Sequence, residues 1–291
     1  MTSAPATRSR GARLRQRALF LGPGLAFTAV FVVAPVALVM SYTLFRRGRF
    51  GGVVHEVSLD NFIRAFEPVY RGVLVDSVVV AGLATVLAVL LGYPAAYAIA
   101  AMPARWRNLC LVLVLVPFWT NFLIRTYAWI VLLSGQGVIN DALVSLGLVQ
   151  ERLTLINTRG AVVVGLLYTY LPLMILPVYA SVARLDGELR EAAGDLGAGR
   201  VRTFTDVTLP LSLPGVVTGC IFVFVPSMGN FVIPELLGGG KALMVGNLVR
   251  DQFLVARNWP FGATLALVMI VVLFLLFALQ SVVARRFAVG R

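Results

Sequence analysis

ARLDGELREAAGDLGAGRVRTFTDVTLP, Ala183–Pro210, is a charged segment set between two strongly apolar ones. Leu185, Leu189, Ala192/Ala193 and Leu196 recur at helical spacing, Gly197 and Gly199 permit a sharp turn, and Pro210 opens the next segment. The pattern predicts helix, turn, helix. Such a pair either caps a bundle or offers apolar anchors at i, i+4 and i+7 to a groove on a partner.

The flanking stretches, Ala161–Val182 and Leu211–Ile233, are two of six; the others are Ala18–Met40, Ser77–Ala101, Leu109–Leu133 and Phe261–Val283. Each of roughly 22–26 residues, rising ~1.5 Å per residue, matches a ~30 Å hydrocarbon core. With 59% apolar and 13% charged residues and a mean hydropathy of +0.89, a soluble enzyme is excluded. The expected fold is an all-α integral membrane protein of six transmembrane helices, with 1–17 a basic tail, 18–284 the spanning domain and 285–291 a second tail.

The amino terminus (Arg8, Arg10, Arg13, Arg15, Arg17) followed by a long apolar run looks like a signal sequence. A signal core is only ~7–15 residues, so this one is expected to stay as the first span. Placing both termini in the cytoplasm puts Arg105, Arg107, the 184–210 loop and the Arg285/Arg286/Arg291 tail inside. That gives the inner side the larger share of arginine, against the outer cluster Arg46, Arg47 and Arg49. The outer loops are then 43–76, 134–160 and 234–260. In the first, Leu59, Phe62, Ile63, Phe66 and Tyr70 fall on one face of a surface helix, either a shield for the bundle or a receptor-docking element.

Several chemistries are absent. The only lysine, Lys241, lacks the Gly-x-x-x-x-Gly-Lys-Ser/Thr context, with Glu235 at the first glycine position, so no ATP-binding loop of that kind is present. His55 is the sole histidine and lies in a polar loop; Cys110 and Cys220 sit in apolar stretches as packing residues, so neither a metal site nor a histidine triad can be assembled. No Asp, Glu or His is expected at mid-membrane. Asp76 reads as a helix cap beside Ser77, and Glu235, next to Pro234, as interfacial. The net charge of +12 decorates loops, and nucleic acid is not an expected partner.

Glu191-Ala192-Ala193, Gly197, Val207 and Leu209-Pro210 resemble the EAA signature of type I ABC importer permeases, with Val207 where that pattern has Ile. Leu59–Phe62, Gly92–Tyr97, Pro117–Trp129, Glu191–Ala198, Met228-Gly229 and Asn258–Gly262 extend the likeness over nearly the whole chain. They narrow it to the permease subunits of spermidine/putrescine importers. The resemblance implies that the 184–210 loop is a cytoplasmic coupling helix docking an ATPase through Glu191, Ala192, Ala193 and Gly197, with Leu209 and Pro210 closing the motif. It also implies a homologous second permease subunit, a dimer of ATP-binding subunits that holds the ATP, an extracytoplasmic solute-binding protein, an inner-membrane location and no cofactor on this chain. Another small solute of amino-acid-like, opine or phosphonate type is the alternative cargo. An ion-coupled secondary carrier is the rival from another class.

For a pathway, Arg125 is the one charge well inside a span; it either snorkels to headgroups or faces the pathway, where it would repel a polyamine. Trp119, Tyr127 and Trp129 share its span, and Tyr168 and Tyr170 stand in the next. These rings either cage an ammonium group or pack in the core and interface. The fifth span is interrupted at Pro226-Ser227-Met228-Gly229-Asn230, which makes Ser227 and Asn230 the polar pathway candidates, although prolines also kink helices for packing alone.

Overall fold

The computed structural model describes residues 22–49, 51–185 and 187–289. The basic tail 1–17, the start of the first expected span and Arg291 lie outside the described residues. Six helical stretches are long and apolar enough to cross a membrane: Gly22–Tyr42, Pro68–Ala101, Phe122–Ser145, Arg159–Val182, Arg200–Gly229 and Trp259–Ala278.

In chain order the elements are α1 (Gly22–Tyr42), β1 (Phe45–Arg47), β2 (Val53–Val57), α2 (Asp60–Ala65), α3 (Pro68–Ala101), α4 (Ala104–Trp119), α5 (Phe122–Leu133) and α6 (Val138–Ser145). Then come α7 (Arg159–Val182), α8 (Gly187–Asp195), α9 (Arg200–Gly229), α10 (Val232–Gly238), α11 (Val245–Leu254) and α12 (Trp259–Val289). The core is a three-helix packing of α3, α7 and α9. Ala88, Tyr93, Ala96 and Ile99 meet Met174, Ile175, Val178, Val182 and Val223 toward the α8 end. Val80, Ala84, Val162, Leu166, Ile233 and Leu237 close the other end. The helices approach closely because small residues face Met174. A Cβ on Gly92 would lie 2.8 Å from its Cγ, and one on Gly219 would lie 2.6 Å from its Sδ.

Five expectations change. The third span, Leu109–Leu133, is two helices: Thr120 turns extended (ψ 149°), and Asn121 caps α5 by accepting from the Leu123 and Ile124 amides. The second helix of the Ala183–Pro210 loop is not separate from the fifth span, because a π-turn at Phe204–Thr208 carries it into α9 without a break at Pro210. The fifth-span interruption falls at Asn230-Phe231, since the helix runs through Pro226 to Gly229. Asp76 is not a cap. The helix starts earlier, at Pro68, and Asp76 pairs with Arg159 at 2.7 Å. Finally, the 43–76 loop folds into an antiparallel β1–β2 hairpin carrying His55, whose ring lies 4.8 Å from Phe45. The expected Leu59–Tyr70 helix is cut in two after Ala65, leaving Leu59, Ile63 and Phe66 exposed. Cys110 and Cys220 are free and half-buried.

Candidate substrate pathway and coupling loop

The break between α9 and α10 opens a cleft whose polar side chains are Tyr170 and Asn230. Asn230 has an extended backbone (φ −70°, ψ 129°), which frees its side chain from helical packing. Its Oδ1 accepts from the Ile233 amide at 2.9 Å, opening α10, and its Nδ2 donates to the Tyr170 hydroxyl at 2.9 Å. The Tyr170 hydroxyl donates weakly to the Pro226 carbonyl at 3.5 Å. Asn247 Nδ2 holds the Phe231 carbonyl at 2.7 Å. Irregular backbone survives away from water only when its polar groups are paired in this way. The resulting cavity of about 460 Å³ is lined by Phe122, Tyr170, Pro226, Gly229, Asn230, Phe231 and Val232.

The other candidates are distributed unequally. Trp129 and Tyr168 meet edge to face at 5.6 Å, with Trp129 packed on the core. Trp119 is 77% exposed and Tyr127 55%, both on the uncovered side of α4 and α5. Ser227 is fully buried and donates to the Val223 carbonyl at 2.6 Å, so its hydroxyl is spent within its own helix. Arg125 reaches toward the Phe118 ring, 6.0 Å from its centroid. Of the expected residues, the fold brings Tyr170 and Asn230 together and pairs Trp129 with Tyr168. Phe122, Phe231 and Asn247 were not anticipated. Asn121 beside Phe122 was the legible cap signal, whereas Asn247 acts across the fold and has no local one.

Beside the cleft, Arg250 pairs with Glu235 and, at 2.8 Å, with Asp251, and lies 5.4 Å from the Phe231 centroid. Its hydrogen bonds to the Glu235 and Asp251 carboxylates raise its pKa above the usual arginine value. Glu235 is thus engaged on the hairpin side of the molecule.

At the opposite end, α8 stops in a Schellman turn. The Ala198 amide bonds the Ala193 carbonyl at 3.0 Å, the Gly197 amide bonds Gly194 at 2.9 Å, and Gly197 takes φ +81°, a region unfavourable to side chains with a Cβ. The apolar stripe is turned outward: Leu196 is 89% exposed and Val201 78%, while Glu191 and Ala192 are exposed and Ala193 is half-buried. Leu209 and Pro210 are half-buried where α9 enters the bundle. Phe204, in the π-turn, meets Tyr93 at 5.8 Å and Tyr97 at 6.0 Å, both edge to face. Tyr93 and Ser212 share a hydrogen bond of 2.9 Å just beyond. The loop is thus joined to the core through the Gly197 turn and the single helical stretch Arg200–Gly229.

The chain is thus a membrane bundle with a cleft at a helix break and an exposed charged loop. The pattern that describes the family "Binding-protein-dependent transport system inner membrane component" matches residues 72–289, and the chain belongs to that family. It is similar to the spermidine/putrescine transport system permease protein PotB of Haemophilus influenzae, 40% identical over 84% of this chain and 86% of the relative. The PotB protein of Escherichia coli is 40% identical over 84% and 89%. The E. coli inner membrane ABC transporter permease protein YdcU is 34% identical over 78% and 76%. In fold, the chain is similar to a chain of the bacterial alginate ABC transporter in complex with alginate pentasaccharide-bound periplasmic protein, with a TM-score of 0.76, 17% identity and coverage of 97% and 99%. It also matches a chain of the MetNI methionine ABC transporter in inward-facing form, with a TM-score of 0.58, 17% identity and coverage of 76% and 98%. The chain is a multi-pass permease component of the inner membrane.

Proposed function

We propose that this permease forms half of the pathway of an ATP-driven polyamine importer, with spermidine and putrescine as representative cargo. The geometric observation that carries the coupling is the outward-turned α8, with Glu191, Ala192 and Leu196 exposed, joined through the Gly197 turn to the continuous α9. The names of the 40%-identical relatives supply the cargo. A homologous second permease completes the pathway, a dimer of ATP-binding subunits docks on Glu191, Ala192, Ala193 and Gly197, and an extracytoplasmic binding protein delivers the solute. ATP is bound by those subunits, and this chain needs no cofactor. Leu209 and Pro210 transmit the docking movement into α9. Tyr170 and Asn230 line the pathway directly. Trp119, Tyr127, Trp129 and Tyr168 add aromatic faces for an ammonium group, Arg125 sets local charge, and Ser227 stiffens the helix behind them. Residues 18–284 form the spanning domain; 1–17 and 285–291 lie in the cytoplasm with α8.

Three measurements test this reading. Substituting Gly197→Val forces a β-branched residue into φ +81°, so the permease should insert normally yet lose its ATPase on purification and its transport. A variant that keeps both at the wild-type level makes α8 a mere bundle cap. Cysteines placed at Gly51 and Gly239 should react with an impermeant label in intact cells and one at Gly199 should not; labelling at position 199 overturns the orientation. Proteoliposomes of the complete transporter should accumulate labelled putrescine or spermidine with ATP, and uptake of neither refutes the cargo.

A further inference from the structure

Arg125 lies in the first turn of α5, on the side it shares with Phe122 and Trp129 at i−3 and i+4. Its Nε and Nη1 are buried and have no hydrogen-bond partner among the described residues. The Phe118 ring at 6.0 Å offers a weak cation–π contact. A guanidinium withdrawn from water is strongly destabilised unless an anion accepts its hydrogen bonds.

The described residues bring no anion to it. Asp and Glu are absent from Ser77 to Asn140, from Arg159 to Ala183 and from Val207 to Pro234. Asp76, Asp141, Glu235 and Asp251 are engaged by Arg159, Arg152 and Arg250. Asn230 spends both polar atoms on Ile233 and Tyr170, and the 3.5 Å bond from Tyr170 to Pro226 is long enough to be exchanged for a better acceptor.

We infer that Arg125 is a binding site for a carboxylate that comes from outside this chain. The planar fork of an arginine matches a carboxylate through two parallel N–H···O bonds, and its positive charge repels an ammonium group. The carboxylate belongs either to an acidic side chain of the second permease subunit or to the cargo. The inference rests on the transporter reading. If the cargo is a polyamine, the carboxylate is the subunit's, and it screens Arg125 from the passing cation.

The test uses the complete transporter with Arg125→Gln and Arg125→Lys, the latter keeping the charge without the fork. One readout needs no cargo: retention of the second permease on a tagged copy of this chain. The other is ATP-driven uptake of putrescine and of 4-aminobutyrate, an amine that also carries a carboxylate. If the second subunit supplies the acid, Arg125→Gln lowers retention more than about tenfold, and Arg125→Glu is rescued by an acid→Arg change in that subunit. If the cargo supplies it, retention is unchanged and only 4-aminobutyrate uptake falls. Arg125→Lys should be impaired in the same readout, since it loses the two-point match. Wild-type retention in Arg125→Gln, together with unaltered uptake of whichever amine the wild type carries, overturns the site. So does full wild-type behaviour of Arg125→Lys. Failure of the wild type to carry putrescine bears on the polyamine reading alone, because retention is measured without it.

Discussion

Two helix breaks divide the bundle, and they are finished differently. At Asn230-Phe231 the chain satisfies itself: Asn230 bonds Tyr170 and Ile233, and Asn247 holds the Phe231 carbonyl. At Thr120-Asn121 the backbone is capped by Asn121, yet Trp119 and Tyr127 stand uncovered and two nitrogens of Arg125 have no partner among the described residues. The first break is completed by this fold alone. The second has the character of half a site, as the proposed sharing of the pathway with a second permease requires.

The largest expected effect follows from the self-contained break. Asn230→Ala removes the acceptor for the Ile233 amide and the donor to Tyr170. Leaving such groups unpaired away from water costs about 1–3 kcal/mol each. The purified chain should melt several degrees lower, and uptake should fall more than about tenfold. Unchanged melting would mean that the two breaks do not differ in how they are held. Asn121→Ala provides the contrast. Its cap is exposed, so the loss should be about 1 kcal/mol, and a loss equal to that of Asn230→Ala would erase the distinction.

These differences show what the sequence could disclose. Five of the crossings follow from hydropathy because length and apolar content are local properties, and the Gly197 turn follows from a glycine just past an amphipathic stripe. The break at Thr120 is hidden because a change of ψ at one residue leaves the apolar composition of 109–133 untouched. The π-turn at Phe204–Thr208 is hidden for a similar reason: the helix period shifts by a single residue. The hairpin was signalled by Gly51-Gly52, both at positive φ, between β-branched and aromatic residues. Weighing Arg46, Arg47 and Arg49 as topology charges masked that signal. The Tyr170–Asn230 bond joins residues sixty apart in sequence and becomes visible only once α7 and α9 pack.

Tyr170→Phe sharpens the comparison further. It keeps the ring against the core and removes only the hydroxyl, leaving Asn230 Nδ2 without its acceptor. A loss of about 1 kcal/mol is expected, together with a several-fold change in apparent affinity for cargo, since the hydroxyl faces the cleft. Equal effects on assembly and on uptake would make Tyr170 a purely structural member of the break.

The smallest effect on folding, and the most discriminating one, belongs to Trp119→Ala and Tyr127→Ala. Both rings are exposed in this chain, so their removal leaves no cavity and should change its melting by no more than about 0.5 kcal/mol. Lipid, the second permease and a passing ammonium group all remain as contacts for those faces. If the rings serve the cargo, uptake of a cationic solute falls while the second permease is retained, because the attraction of an aromatic face for a desolvated cation, about 2 kcal/mol, is lost with the ring. If they serve the subunit contact, retention falls first and uptake follows it. Wild-type retention with wild-type uptake would assign both rings to the lipid interface.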